Sequence, residues 1–265
     1  MFKAVVSDLD GTLLNAEHKV SEFTRETVEL LLKKGIKFYI ATGRNYLGAK
    51  EAMDELGVKV PLITSHGSVA FDENGNEIFS NNLKREYLDK VLDIDYKSFG
   101  KDIIITGYSG PNWFVTEDLR EYFYNKKPDR TRYPKQITPE EFKKHNFTKI
   151  FFLGEDHDEL LELENEIRKA VGDGNISLLF ANEGSLEVFS ANCNKAKAAE
   201  VLLERDGLTL KDAVSFGDGL NDYELITETG LGFAMGNSIY LLLENTENIA
   251  DYVIIFISCY KYWFA

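Results

Sequence analysis

Short apolar runs that stop abruptly at polar residues and glycine alternate along this chain with stretches of helical periodicity. Ala4-Val5-Val6 runs into Ser7-Asp8-Leu9-Asp10-Gly11-Thr12, which predicts a buried strand with two aspartates at its carboxyl end. Residues 21–34 follow as a helix, with Val28, Leu31 and Leu32 on one face and Gly35 as its stop. The next strand, 36–41, ends in Thr42-Gly43-Arg44. A helix with Ala49, Ala52, Met53 and Leu56 at i, i+3, i+4 and i+7 leads through Gly57 to a strand over 60–63, closed by Thr64-Ser65-His66-Gly67. Val69-Ala70-Phe71 and Glu77-Ile78-Phe79, either side of Asp72-Glu73-Asn74-Gly75, predict a hairpin.

The rhythm changes between about Leu83 and Glu187. Strands now come in adjacent pairs, Ile103-Ile104-Ile105 with Trp113-Phe114-Val115, and 176–180 with 186–189. A strand at 149–153 and a helix carrying Leu160, Leu163, Ile167 and Val171 lie between them. Paired strands with intervening helices predict an α+β unit with an antiparallel sheet. From Asn192 the first rhythm returns: a helix over 195–205, the strand Ala213-Val214-Ser215-Phe216, then Gly217-Asp218-Gly219-Leu220-Asn221-Asp222. The fold class expected is therefore α/β, a parallel-sheet core from residues 1–82 and 190–265, with an inserted α+β domain at 83–189.

Composition narrows the function. At 265 residues the chain is long enough for a large core in one or two domains. Thirty Lys and Arg against forty-four Asp and Glu give a net charge of −14, which argues against nucleic acid as a partner. No apolar run approaches the roughly 18–20 residues that span a bilayer. No secretory signal precedes Asp8, and Cys193 and Cys259 form no metal-spaced pair. A cytoplasmic protein, with no membrane or nucleic acid as partner and acting as a monomer or weak homo-oligomer, is the expectation. The scattered histidines (His18, His66, His145, His157) do not suggest a histidine metal site.

Candidate chemistry sits at the strand ends. In an open α/β sheet, ligands bind just outside the carboxyl edge. Two crowded carboxylates such as Asp8 and Asp10 call for a cation, and Mg²⁺ is the hard, oxygen-seeking choice. Thr42 and the Gly43 amide at a helix start make an anion cradle. Lys195 stands at a helix start, where the dipole disfavours it unless an anion is near. Asp218 and Asp222, with glycines around them, close the set. Taken singly, each has an ordinary explanation: an acidic turn, a helix cap, a surface lysine.

Taken in order, Asp-x-Asp-Gly-Thr, Thr-Gly-Arg, Lys and Gly-Asp-x-x-x-Asp resemble the four signature motifs of the haloacid dehalogenase (HAD) superfamily. The inserted domain, Ala234-Met235-Gly236-Asn237 and Ala250-Asp251 resemble its Cof-type phosphatase branch. That resemblance implies a Rossmann-like core with a substrate-selecting cap, and a Mg²⁺-dependent phosphatase of small phosphorylated substrates such as sugar phosphates. It implies Asp8 as nucleophile, forming an aspartyl-phosphate, and Asp10 as general acid and base. It further implies Leu9, Thr42, Gly43, Arg44, Lys195 and Asn221 around the phosphoryl group, and Asp8, Asp10 (through its carbonyl), Asp218 and Asp222 around the metal. A phosphomutase or a non-catalytic phospho-aspartate switch would share part of this pattern.

Two places depart from it. His66 stands where the branch usually has asparagine, and the chain ends in an apolar tail, 253–265, that lacks helical periodicity. In the inserted domain, Lys126, Lys127, Arg130, Arg132 and Lys135 fall near Trp113, Tyr122, Phe123 and Tyr124. That mixture suits either a phosphate-ester grip or a solvated face over cap core.

Overall fold

The strand that carries the first two aspartates, β1 (Ala4–Ser7), is buried on both faces. Its side chains alternate between two cores: Val5 joins one, Ala4 and Val6 the other. The structure is a computed structural model that describes residues 2–110, 112–119, 133–191 and 193–250. The expectations for Tyr122, Phe123, Tyr124, Lys126, Lys127, Arg130, Arg132, Asp251, Cys259 and the apolar tail lie outside those residues. Two compact units emerge, one from residues 1–80 and 193–265, the other from 81–192.

In the first unit, β1 is followed by α1 (Glu22–Lys33), β2 (Lys37–Ala41), α2 (Tyr46–Leu56), β3 (Leu62–Thr64), β4 (Val69–Phe71) and β5 (Glu77–Ser80). Ser21 caps α1 by accepting from the Thr24 amide at 3.0 Å, a contact worth about 1 kcal/mol. Asn45 caps α2 in the same way through the Gly48 amide. The third strand begins at Leu62 rather than Val60. Pro61 has no N–H for the ladder, although its carbonyl still accepts from the Ile40 amide. β4 and β5 form the predicted hairpin, and Asp72 fixes its loop by accepting from the Asn74 and Asn76 amides.

The later part of this unit supplies α6 (Lys195–Arg205), β12 (Ala213–Gly217), α7 (Tyr223–Glu228), β13 (Leu231–Met235), α8 (Tyr240–Asn245) and β14 (Ile249–Ala250). Strand order among the described residues is β14-β13-β12-β1-β2-β3-β4-β5. All neighbours are parallel except the β3-β4-β5 edge. Val28, Leu31, Ala49, Met53 and Leu56 cover one face with Phe38 and Ile40. Ala196, Ala199, Leu202 and Leu225 cover the other with Tyr39 and Ala41. The chain runs outward from β1 through β2 and β3, then returns to pair β12 with the opposite edge of β1. That reversal places a crevice at the carboxyl ends of β1 and β12.

The second unit holds α3 (Arg85–Leu92), β6 (Ile104–Ser109), β7 (Asn112–Val115), β8 (Lys135–Gln136), α4 (Pro139–Phe142), β9 (Lys149–Leu153), α5 (His157–Val171), β10 (Ile176–Asn182) and β11 (Ser185–Ser190). Its sheet runs β10-β11-β9-β6-β7-β8. Pairing is antiparallel except at β7-β8, a two-residue strand too short for a sequence pattern to reveal. Leu88, Val91, Leu160, Leu163 and Ile167 pack on Ile105, Ile150, Phe152 and Val188. Among the described residues no helix is long and apolar enough to cross a membrane.

Candidate active site

Asp8 leaves the end of β1 with its amide bonded to the Phe216 carbonyl of β12 at 3.0 Å. The carboxyl ends of the two strands are thereby locked together. Asp218 follows Gly217, the last residue of β12, so both aspartates open onto the same crevice. Gly11 makes this approach possible. It has φ +79°, and a Cβ there would collide with the Asp218 carboxylate, so only glycine fits. Thr12 Oγ1 donates to Asp218 Oδ1 at 3.1 Å, and Asn237 Nδ2 donates to Asp218 Oδ2 at 3.2 Å and to the Gly11 carbonyl at 3.1 Å.

Carboxylate oxygens of Asp8, Asp218 and Asp222 all lie within 4.8 Å of one another. At that separation each ionised pair repels by about 3 kcal/mol for an effective dielectric near 20. Lys195 answers part of this. Its ammonium is fully buried, 2.6 Å from Asp8 Oδ1 and 2.6 Å from Asp222 Oδ1. Asn194 caps α6 through the Lys197 amide, so Lys195 occupies the first turn at the positive end of the helix dipole. The two carboxylates offset that unfavourable placement.

Protonation follows the same balance. Burial pushes the Asp8 carboxyl well above its ordinary value, against the pull of Lys195. Burial likewise works against the Lys195 ammonium, but Asp222 and Asp8 outweigh it and hold its pKa high. Asp218 is pushed up to about 6 by burial and by Asp222. One buried cation among three carboxylates leaves an excess of negative charge, so the site favours either bound protons or a further cation. Its donors are all carboxylate oxygens, the set a hard divalent ion prefers.

The remaining expected residues fall into two groups. Thr42 directly follows β2, is buried, and accepts from the Arg44 amide at 3.1 Å. Asn221 lies in the turn after β12 with its Nδ2 3.0 Å from His66 Nδ1. Asp222 uses Oδ2 to accept from the Asp218 and Gly219 amides, which pins the loop and leaves Oδ1 for Lys195. Leu9 is wholly buried, so its backbone alone can face a ligand.

Asp10 and Arg44 stand apart from this cluster. Arg44 Nε and Nη2 donate to Asp10 Oδ2 and Oδ1 at 2.7 and 2.5 Å, so the arginine expected at the phosphoryl group grips the expected acid and base instead. His18 Nδ1 lies 3.3 Å from Asp10 Oδ1. Partial burial raises the Asp10 pKa, but Arg44 and His18 more than reverse this and hold it below the usual carboxylate value. Thr12, His18 and Asn237 were missing from the sequence-derived site. Thr12 belongs to the first motif and Asn237 follows a strand end, but neither position discloses a partner that far away along the chain.

Parallel strands reversing direction at β1, with an acidic crevice and a buried lysine at their carboxyl ends, define a doubly wound α/β protein. A profile of haloacid dehalogenase-like hydrolases matches residues 5–254. A Buchnera aphidicola protein described as a candidate phosphatase is 36% identical over 253 residues, covering 94% of this chain and 92% of its own length. An HMP-PP phosphatase of Enterobacter sp. is 30% identical over 250 residues, covering 94% and 89%. Among solved structures, a haloacid dehalogenase-like hydrolase of Bacteroides thetaiotaomicron superposes with TM-score 0.81 at 24% identity, over 95% of this chain and 94% of its own. A HAD subclass IIB sugar phosphatase does so with TM-score 0.79 at 21% identity, over 98% of each chain. The chain belongs to the haloacid dehalogenase-like hydrolases, on the phosphatase side of that family.

Proposed function

We propose that this protein is a Mg²⁺-dependent phosphatase of small phosphate monoesters, sugar phosphates foremost, that carries the phosphoryl group on Asp8. The observation that supports this most directly is Lys195, fully buried and 2.6 Å from both Asp8 and Asp222. A structural lysine has little reason to be buried at such desolvation cost. One that must steady a carboxylate and then a transferred phosphoryl group has every reason.

The donor set fits Mg²⁺: Asp8, the Asp10 carbonyl and Asp218 would hold it, with Asp222 behind them. Once bound, the ion neutralises the repulsion between carboxylate and phosphate and polarises the phosphoryl group. A carboxylate oxygen of Asp8 attacks phosphorus as the ester oxygen leaves with a proton from Asp10. Asp10, now ionised, then takes a proton from a water that attacks the same phosphorus and frees Asp8. Arg44 favours the ionised Asp10 of the second step, so its grip must loosen when the leaving group needs a proton. Thr42, the Gly43 amide, Lys195 and Asn221 hold the phosphoryl oxygens, and the unit formed by residues 81–192 selects the ester.

The test is phosphate release from a panel of hexose phosphates, pyridoxal phosphate, nucleotides and HMP-PP, with Mg²⁺ and with a chelator. HMP-PP is included because several relatives carry that name. Mg²⁺-dependent hydrolysis led by the hexose phosphates is expected. Hydrolysis unaffected by the chelator, or none from any ester, would refute the proposal.

A further inference from the structure

His66 occupies a position its backbone adopts at a cost. Ser65 and His66 have φ of +50° and +59°, two consecutive side-chain-bearing residues in the left-handed region, and such strain gathers where a site needs it. The turn is held there from one side by the loop after β2. The Ser65 amide donates to the Arg44 carbonyl at 2.8 Å and the His66 amide to the Thr42 carbonyl at 3.1 Å. On the other side, a Cβ on Gly67 would collide with the Asn194 carbonyl just before Lys195. A single turn therefore touches the threonine loop and the start of the lysine helix.

The His66 side chain reaches a third loop. The ring is buried and lies so close over Gly43 that a Cβ there would strike Cε1. Its Nδ1 lies 3.0 Å from Asn221 Nδ2. An amide N–H can only donate, so Nδ1 accepts and the neutral ring carries its proton on Nε2. The Asn221 Oδ1 is turned the other way, toward Gly219, 2.8 Å from where a Cβ on that glycine would stand. His66 thus decides which end of the Asn221 amide faces which way.

We infer that His66 is a positioning residue for phosphate recognition, fixing the Asn221 amide and the Gly43 backbone so that their N–H donors converge on one anion. This rests on the phosphoryl-binding role proposed above for Asn221 and Gly43. Replacement by phenylalanine keeps a ring over Gly43 but removes the acceptor. Asparagine can return an acceptor close to the position of Nδ1, and so serves as the conservative rescue.

With p-nitrophenyl phosphate and Mg²⁺, His66→Phe should raise KM and the inhibition constant of inorganic phosphate by about tenfold, the scale of one lost hydrogen bond, with a smaller change in kcat. His66→Asn should recover most of that loss. Asn221→Ala should cost far less in the His66→Phe background than in the parent, because loss of the His66 acceptor already misdirects the donor that Asn221→Ala removes. Losses that simply multiply, or phosphate inhibition unchanged in His66→Phe, would overturn the inference. A second readout does not depend on turnover. The side-chain amide signal of Asn221, assigned by its disappearance in Asn221→Ala, should shift in His66→Phe and return toward the parent position in His66→Asn. An unmoved signal rejects the positioning role even if the protein proves to be a phosphatase. A shifted and rescued signal in a protein that hydrolyses no ester sustains the coupling and rejects the proposed activity instead.

Discussion

Arg44 holds Asp10 in a two-pronged contact across 34 positions of sequence, with Nε and Nη2 at 2.7 and 2.5 Å from the two carboxylate oxygens. This side-on geometry is the strong form of a charge-assisted hydrogen bond. It favours the ionised carboxylate, which is the state needed to activate water.

Loss of that contact should therefore be visible in a pH profile. In Arg44→Gln the Asp10 pKa should rise, because its chief counter-charge has gone. The alkaline limb of kcat/KM for a hexose phosphate, where Asp10 must still hold the proton it gives the leaving group, should move to higher pH, while the melting temperature changes little. An unmoved limb would mean that Asp10 is not the group titrating there.

Asp8→Asn should reduce turnover by at least about 10³-fold, since no other group can carry the phosphoryl. The fold should survive, because a buried carboxylate is exchanged for a neutral group of the same shape. Circular dichroism and a thermal melt check the second half of that statement. Parent-like hydrolysis by Asp8→Asn would eliminate the phosphoryl-aspartate route.

Lys195→Met should behave differently. It leaves Asp8 and Asp222 buried without their shared cation, and breaking a buried pair from one side costs about 3–5 kcal/mol. Chemical denaturation at neutral pH should show that loss, with part of it recovered at lower pH as the stranded carboxylates take up protons. A midpoint equal to the parent's would mean the ion pairs contribute nothing to stability.

Metal binding and proton binding should compete at the same cluster. Asp8 and Asp218 both have pKa values raised above 3.8, Asp218 to about 6. Their contribution to stability is fully present below the ordinary carboxylate pKa. For Asp218 it is lost as pH rises through about 6, when the native state must carry a charge it disfavours. Added Mg²⁺ offsets that charge, so the rise in melting temperature caused by Mg²⁺ over a chelator control should be small near pH 5 and larger near pH 8. An equal rise at both would place the metal elsewhere.

Most of the architecture could be read from the sequence because its signals are local. The helical spacing of Ala49, Ala52, Met53 and Leu56 became the buried face of α2. The apolar run before Gly217 became a strand buried along its whole length. The rim residues Asp8, Thr42 and Asp218 were legible for the same reason, each lying where an apolar run stops. The partners of those residues were not. Whether Arg44 would turn to a phosphate or to Asp10 is decided by the approach of two separate loops. Asn237 reaches Asp218 and Gly11 only because β13 lies beside β12. His66 was marked as unusual, but nothing local could show that it would meet Asn221, 155 residues later.

The pairing of β1 with β12 bears on how the protein comes into being. Synthesis delivers Asp8 and Thr42 first, but Asp8 lacks its lysine until Lys195 has emerged, and β1 keeps one bare edge until β12 follows it. A truncated product would present an unpaired apolar strand and no assembled site, which makes it a substrate for chaperones and proteases rather than a partly active enzyme. Chemistry is thus withheld until both the lysine helix and β12 have joined β1.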